Sequence, residues 1–119
     1  MKLFRSFAQE ALEDGLVLQI VVADEEGMIV ENGGEMFPPD SLVATFFKLQ
    51  GASEYLEQVL NLEQASEMAI RYNVSKVTLV FIPFTSNELG SYLISAVIPF
   101  GAGYRVFVRR LLERCKRVL

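Results

Sequence analysis

Apolar residues begin the chain at helical spacing: in residues 2–14, Phe4, Phe7, Ala8, Ala11 and Leu12 share one face, with Arg5, Gln9, Glu10 and Glu13 opposite. Gly15, free to adopt a left-handed conformation, stops this helix. The period then changes. Leu16 to Ala23 is almost unbroken aliphatic sequence, and Asp24-Glu25-Glu26-Gly27 separates it from Met28-Ile29-Val30, which predicts a hairpin with Gly27 at positive φ. Asn32 to Pro39 reads as a loop, with Asp40 or Ser41 as N-cap of a helix from about Ser41 to Leu60. That helix carries two neighbouring stripes, one of Leu42, Phe46, Leu49, Ser53, Leu56 and Leu60, the other of Val43, Phe47, Tyr55 and Val59. So wide an apolar arc predicts cover on two sides, by its own sheet and by something else. Gly51 sits near the middle, where glycine costs about 1 kcal/mol relative to alanine, and close approach of another helix would give it a reason.

Residues 66–72 alternate, with Ser66, Met68, Ile70 and Tyr72 on one side and Glu67, Ala69 and Arg71 on the other, the pattern of a half-solvated edge strand. Lys76 to Phe84 and Tyr92 to Phe100 are apolar on both faces, as central strands covered on each side are, with residues 85–91 joining them. The final segment stripes Tyr104, Phe107, Val108, Leu111, Leu112, Cys115, Val118 and Leu119 against Arg105, Arg109, Arg110, Arg114, Lys116 and Arg117, an amphipathic helix. The order is helix, hairpin, long helix, three strands, helix. It predicts an α+β, α/β/α sandwich: a five-stranded antiparallel sheet with the long helix on one face and the two terminal helices on the other. No repeat or linker divides residues 1–119, so a single domain is expected.

Composition narrows the function classes. The 119 residues are 51% hydrophobic with a formal net charge of −4, but residues 1–104 carry 5 basic and 14 acidic groups, while residues 105–119 carry 6 basic and 1 acidic. An acidic body with one basic helix argues against a nucleic-acid partner, whose footprint would dominate the domain. With no histidine, Ser-His-Asp and Cys-His catalysis and His-containing metal sites are excluded. Cys115, the one cysteine, allows no intramolecular disulfide and fits a reducing compartment. Glu10, Glu13 and Asp14 interrupt any signal-peptide core, and the 16 uncharged residues between Glu88 and Arg105 contain three glycines and a proline and are too few to span a bilayer. A cytoplasmic protein without a membrane span is expected.

In this order of elements, the hairpin Ile20-Val21-Val22-Ala23-Asp24-Glu25-Glu26-Gly27-Met28-Ile29-Val30, the long helix ending at Leu60, and Leu79-Val80-Phe81-Ile82-Pro83-Phe84 before the last strand and helix resemble the roadblock/dynein-light-chain family. These are small homodimeric partners of Ras-like GTPases and include the bacterial Mgl-type polarity regulators. The resemblance covers essentially the whole chain. It implies a homodimer in which the third strands pair edge to edge and the second helices pack antiparallel. Carried onto this chain, the interface would take Gly51, Tyr55, Ser66, Glu67, Met68, Ala69, Ile70, Arg71 and Tyr72. The hydrophobic pattern independently leaves the edge strand and the over-apolar helix in want of cover. Charges on an edge strand can also oppose association, and Glu67 and Arg71 are such charges; a Glu67 to Arg71 contact across a two-fold is the alternative.

Candidate chemistry elsewhere is sparse. Asp24, Glu25 and Glu26 lack the further ligands of a calcium loop and read as a solvated hairpin tip. Gly101-Ala102-Gly103 lies where a phosphate-binding turn would sit, but Val106 replaces the third glycine of a dinucleotide fingerprint, so it reads as a tight strand-to-helix turn. Cys115, on the apolar stripe, reads as a small buried hydrophobe. The basic face of the last helix fits either a solvated surface or contact with an acidic partner or membrane surface. An arginine finger is conceivable at Arg71, Arg105 or Arg109, although the resemblance implies repositioning of the GTPase's own residues instead.

The function expected is therefore a non-enzymatic homodimeric regulator or scaffold of a small Ras-like GTPase, with no metal or cofactor. Thr45, Lys48, Tyr55 and Gln58, projecting from the second helix, are its candidate GTPase contacts. Stimulation of GTP hydrolysis is the sharper form of that expectation. The alternatives are a domain sensing a small apolar ligand between the long helix and the sheet, and an assembly subunit without a GTPase partner. Bulky Phe46, Phe47, Phe81 and Phe84 weigh against an internal ligand cavity.

Overall fold

The computed structural model describes residues 2–101 and 103–118, and leaves the side chains of residues 2, 3 and 115–118 undescribed. Ala102 and the side chain of Cys115 thus lie outside the described residues, as do those of Lys116 and Arg117 on the basic face. The order is α1 (Lys2–Glu13), β1 (Gln19–Asp24), β2 (Ile29–Gly34), α2 (Pro39–Leu60), β3 (Met68–Tyr72), β4 (Val77–Ser86), β5 (Gly90–Pro99) and α3 (Tyr104–Val118). The strands form one antiparallel sheet in the order β2-β1-β5-β4-β3, which leaves β2 and β3 as its edges.

The continuous apolar runs of β1, β4 and β5 follow from two cores, one on each face. On one, Phe4, Phe7, Ala8 and Ala11 of α1 and Phe107 and Leu111 of α3 pack on Ile20, Val22, Val80, Ile82, Ile94, Ala96 and Ile98. On the other, Leu42, Val43 and Phe46 of α2 meet Val21, Ala23, Val77, Phe81, Leu93 and Val97. Alternate residues of each strand thus go to opposite layers, so the strand interiors carry no charge, and the one charged residue, Asp24, stands at the end of β1. The three-layer sandwich is as the sequence predicts.

Four local expectations change. Asn32, Gly33 and Gly34 belong to β2 rather than to a loop, pairing with Val21, Ile20 and Gln19. Glycine is used there because α1 lies directly on the strand: a Cβ on Gly33 would stand 2.8 Å from Leu12 Cδ1, and Gly34, at φ +79°, passes against the Leu18 carbonyl. Neither Asp40 nor Ser41 caps α2; Pro38 is the N-cap and Pro39 opens the helix, placing Asp40 in the first turn, where a carboxylate suits the helix dipole. β1 begins at Gln19, because Leu16 and Val17 instead close α1 through bonds from their N–H groups to the Ala11 carbonyl. β4 and β5 run on to Ser86 and Gly90, which pair, so residues 85–91 are mostly strand with a short turn.

α3 is tied to α1 by more than its apolar stripe. Arg110 pairs with Asp14 at 2.7 Å, and Arg114 pairs with Glu10. Part of the basic face is therefore neutralised within the chain. Half-exposed pairs of this kind contribute little to stability but fix the helix direction.

Candidate functional site

The sheet ends before α2 does. Leu42, Val43 and Phe46 bury the first half of the helix, whereas from Gly51 to Leu60 every residue is exposed except Ser53 and Glu57. Those two have a local task. Ser53 Oγ donates to Glu57 Oε2 at 2.6 Å, and the same oxygen accepts the Ala65 N–H at 3.2 Å. Glu57 thereby holds the connection that delivers β3 to the sheet edge. Asn61 ends α2 in the left-handed conformation, and both its N–H and that of Leu62 return to the Glu57 carbonyl.

What remains on the back half of α2 is an apolar strip. Tyr55 is 66% exposed, Leu56 52%, Val59 60% and Leu60 58%, and Leu62, just past the helix, is 54% exposed. Leu56 and Leu60 continue the stripe that buries Leu42 and Phe46, yet meet no sheet. Phe47 and Tyr72, at the end of β3, are large exposed hydrophobics as well. Isolated exposed apolar residues are ordinary, whereas so many along one helix half make this strip the candidate for an interaction surface. Gly51 lies within this stretch, and a Cβ there would meet nothing within 4 Å, so no contact inside the chain explains the glycine.

β3 is five residues long, starting at Met68 rather than Ser66, so Ser66 and Glu67 precede it. Its pairing with β4 sets Met68 opposite Phe81, Ala69 opposite Val80, Ile70 opposite Leu79, Arg71 opposite Thr78 and Tyr72 opposite Val77. The other side of β3 is an unpaired edge. Met68 packs toward the α2 core, and Arg71 lies on the α3 side, its guanidinium 4.2 Å over the Phe100 ring. Of the interface residues named from sequence, Ser66 to Tyr72 thus lie at or just before this edge, and Gly51 and Tyr55 lie on α2, the helix of the Met68 face. Thr45, Lys48 and Gln58 are exposed along the same helix, the Thr45 hydroxyl donating to the Ser41 carbonyl.

The alternative sites are poorer. Asp24 Oδ1 accepts the N–H groups of Glu26 and Met28 at 3.0 and 2.9 Å, so this carboxylate organises the hairpin turn. No group of three metal-binding side chains occurs among the described residues. Between the back half of α2 and the sheet is a cleft of about 20 Å³ near Ser53, Glu57 and Met68, space for a water molecule and not for a small apolar ligand. Phe46 and Phe81, fully buried and edge to face with centroids 5.4 Å apart, fill the region where such a ligand would lie. Phe47, expected to add to that filling, points outward.

Sequence reasoning missed Glu57 and Gln19. Gln19 is a buried side chain whose amide accepts from the Phe37 N–H and donates to the Phe37 carbonyl, both at 2.9 Å, fixing the loop that launches α2. A lone polar residue at the head of an apolar run was the one available signal.

Solved structures share this architecture. MglB of Myxococcus xanthus matches with a TM-score of 0.78 at 9% identity, over 98% of this chain and 87% of that one. The gliding protein MglB of Thermus thermophilus matches at 0.78 and 14% identity, over 98% and 88%. A roadblock/LC7 domain from Streptomyces avermitilis matches at 0.72 and 12% identity, over 98% and 92%. The fold is that of the roadblock family. No family model matches the sequence, and no curated protein does. At such identities the roadblock likeness is one of backbone, carried by the same order of helices and strands. No helix among the described residues of this roadblock fold is long and apolar enough to cross a membrane.

Proposed function

We propose that this chain is a homodimeric regulator or scaffold of a small Ras-like GTPase, acting in the cytoplasm by binding and without chemistry of its own. The observation that carries the reading is the exposed apolar strip on the back half of α2 beside the unpaired edge of β3. On a roadblock fold, one arrangement covers both at once. β3 adds to β3 of a second copy, extending the sheet, and α2 packs antiparallel on its counterpart, with Gly51 allowing close approach and Tyr55 lying at the seam. Ser66, Glu67 and the five residues of β3 complete that interface. The helix pair then presents Thr45, Lys48, Tyr55 and Gln58 as a shared outer surface for the GTPase.

Acceleration of GTP hydrolysis by repositioning of the GTPase's own residues is the sharper form of this proposal. Arg71 is held against Phe100 and bonded to Asn73 Oδ1, which disfavours it as an arginine finger. The test is to mix the purified protein with Ras-like GTPases of its own genome, each loaded with GTP or GDP, and to follow complex formation and phosphate release. Complex formation with one of them supports the reading. Absence of binding in both nucleotide states, with the protein dimeric, would leave an assembly subunit.

A further inference from the structure

β3 carries two charges, Glu67 just before it and Arg71 within it, on the sheet face that α3 covers. Glu67 Oε2 is buried with no hydrogen-bond partner among the described residues. It lies in a groove of about 300 Å³ with Val108, Leu112, Arg105, Arg109 and a second carboxylate, Glu113, and neither arginine forms an ion pair with it. A buried carboxylate oxygen left unpaired is costly, more so than a neutral group. The Arg71 of the same chain is four residues farther along the strand, about 13 Å away, and cannot reach it. Arg71 in turn uses Nε on Asn73 at 3.1 Å and its flat face on Phe100, which leaves its Nη donors without partners among the described residues.

A strand that pairs antiparallel with its own copy about a two-fold axis normal to the sheet keeps every residue on its own face. Each residue then lies opposite the one equally far beyond the axis. Few axes are available in so short a strand. With Met68 on the axis, Arg71 falls opposite Ala65 and Glu67 opposite Ala69, so neither charge meets its opposite. With Ile70 there, Arg71 faces Ala69 and the two arginines become diagonal neighbours. With Arg71 there, two guanidinium groups meet head on, which is destabilising. With Ala69 there, Glu67 faces Arg71 twice over, Met68 meets Ile70 on the other face, and a methyl group is all that occupies the axis.

We propose that β3 pairs with a second copy with Ala69 on the two-fold axis, so that Arg71 of the partner subunit pairs with the half-buried Glu67 carboxylate. The proposal rests on the dimer reading above and adds its register and the two residues that set it. Directly opposed side chains stand about 4.5–5.5 Å apart at Cβ, within reach of a guanidinium–carboxylate pair.

Two experiments on the full chain test it. In a Cys115→Ser background, single cysteines at positions 68, 69, 70 and 71 are oxidised mildly and the cross-linked dimer is quantified. Ala69→Cys is expected to cross-link at least about tenfold faster than the others, because only residues on the axis approach within the span of a disulfide. Separately, Glu67→Arg and Arg71→Glu should each weaken association at least about tenfold by setting like charges opposite one another, and the double variant should return to within about threefold of the parent. A dimer that cross-links best at 68, 70 or 71 overturns the register while keeping the dimer. A dimer that cross-links at none of the four removes β3 from the seam. Failure of the charge swap to restore association overturns the pairing of Glu67 with Arg71 of the partner subunit, and a parent protein that is monomeric at every concentration removes the dimer itself.

Discussion

Leu56 and Val59 lie three residues apart on the exposed half of α2, 52% and 60% open, and replacing both with alanine isolates the strip from the rest of the fold. The change deletes three carbons from one side chain and two from the other, each worth about 0.8 kcal/mol when fully removed from water. About half of each side chain is already sheltered within the subunit, so a dimer seam would newly bury about 1 kcal/mol at each position. Each residue occurs twice across a two-fold, giving a loss of about 4 kcal/mol, which raises the dissociation constant by about three orders of magnitude. Sedimentation equilibrium on parent and double variant measures that ratio. The folded subunit itself should lose little, because both positions are exposed and remain good helix formers. Urea midpoints of the parent should therefore rise with protein concentration while those of the variant stay flat. A dissociation constant within threefold of the parent would refute the assignment of this strip to the seam. So would an unchanged dimer whose urea midpoint falls, because that would make the two side chains part of the subunit core.

Other perturbations separate the scaffold from the surface. Gln19→Leu removes both bonds to the Phe37 backbone and strands that N–H and carbonyl; a loss of about 2–4 kcal/mol is expected in urea unfolding, and an unchanged midpoint would show that water replaces the amide. Gly34→Ala should destabilise more than Gly15→Ala, although both have positive φ, because the first also drives a methyl group into the Leu18 carbonyl while the second meets nothing within 4 Å; equal midpoints would contradict the close approach of Gly34 to that carbonyl. Gly51→Leu should weaken association while leaving dilute-subunit stability within about 1 kcal/mol, read from midpoints at low and high concentration. Lys48→Glu should reduce GTPase binding without changing the mass of the dimer, and dissociation of the dimer would move Lys48 into the seam.

The architecture was legible because its strands are buried on both faces. Nothing but aliphatic and aromatic residues suits Ile20 to Ala23 or Val80 to Ile82, and stripes such as Phe107 and Leu111 show which side of a helix meets them. β2 was misread at Gly33 and Gly34 because their reason is tertiary: Leu12 of α1 lies on the strand, and local propensity argues against glycine in it. The N-cap of α2 was misplaced because two prolines can set a helix start without a side-chain bond. Periodicity placed Leu42, Phe46, Leu56 and Leu60 on one stripe but carries no information on how far the sheet extends beneath it. The exposure of the last two emerged only from the structure. Glu57 and Gln19 hold backbone groups 8 and 18 residues distant, and neither bond leaves a trace in neighbouring sequence. The edge character of β3 was legible from its alternation. The buried, unpaired Glu67 oxygen was not, because it depends on where α3 crosses.

Engagement of a GTPase by the proposed dimer is read by calorimetric titration of the protein with Ras-like GTPases of its own genome, each loaded with a non-hydrolysable GTP analogue and separately with GDP. Saturable binding of one GTPase to the dimer, preferring one nucleotide state and weakened by Lys48→Glu, is the predicted result. A protein that dimerises as described and yet takes up none of them in either state would contradict it.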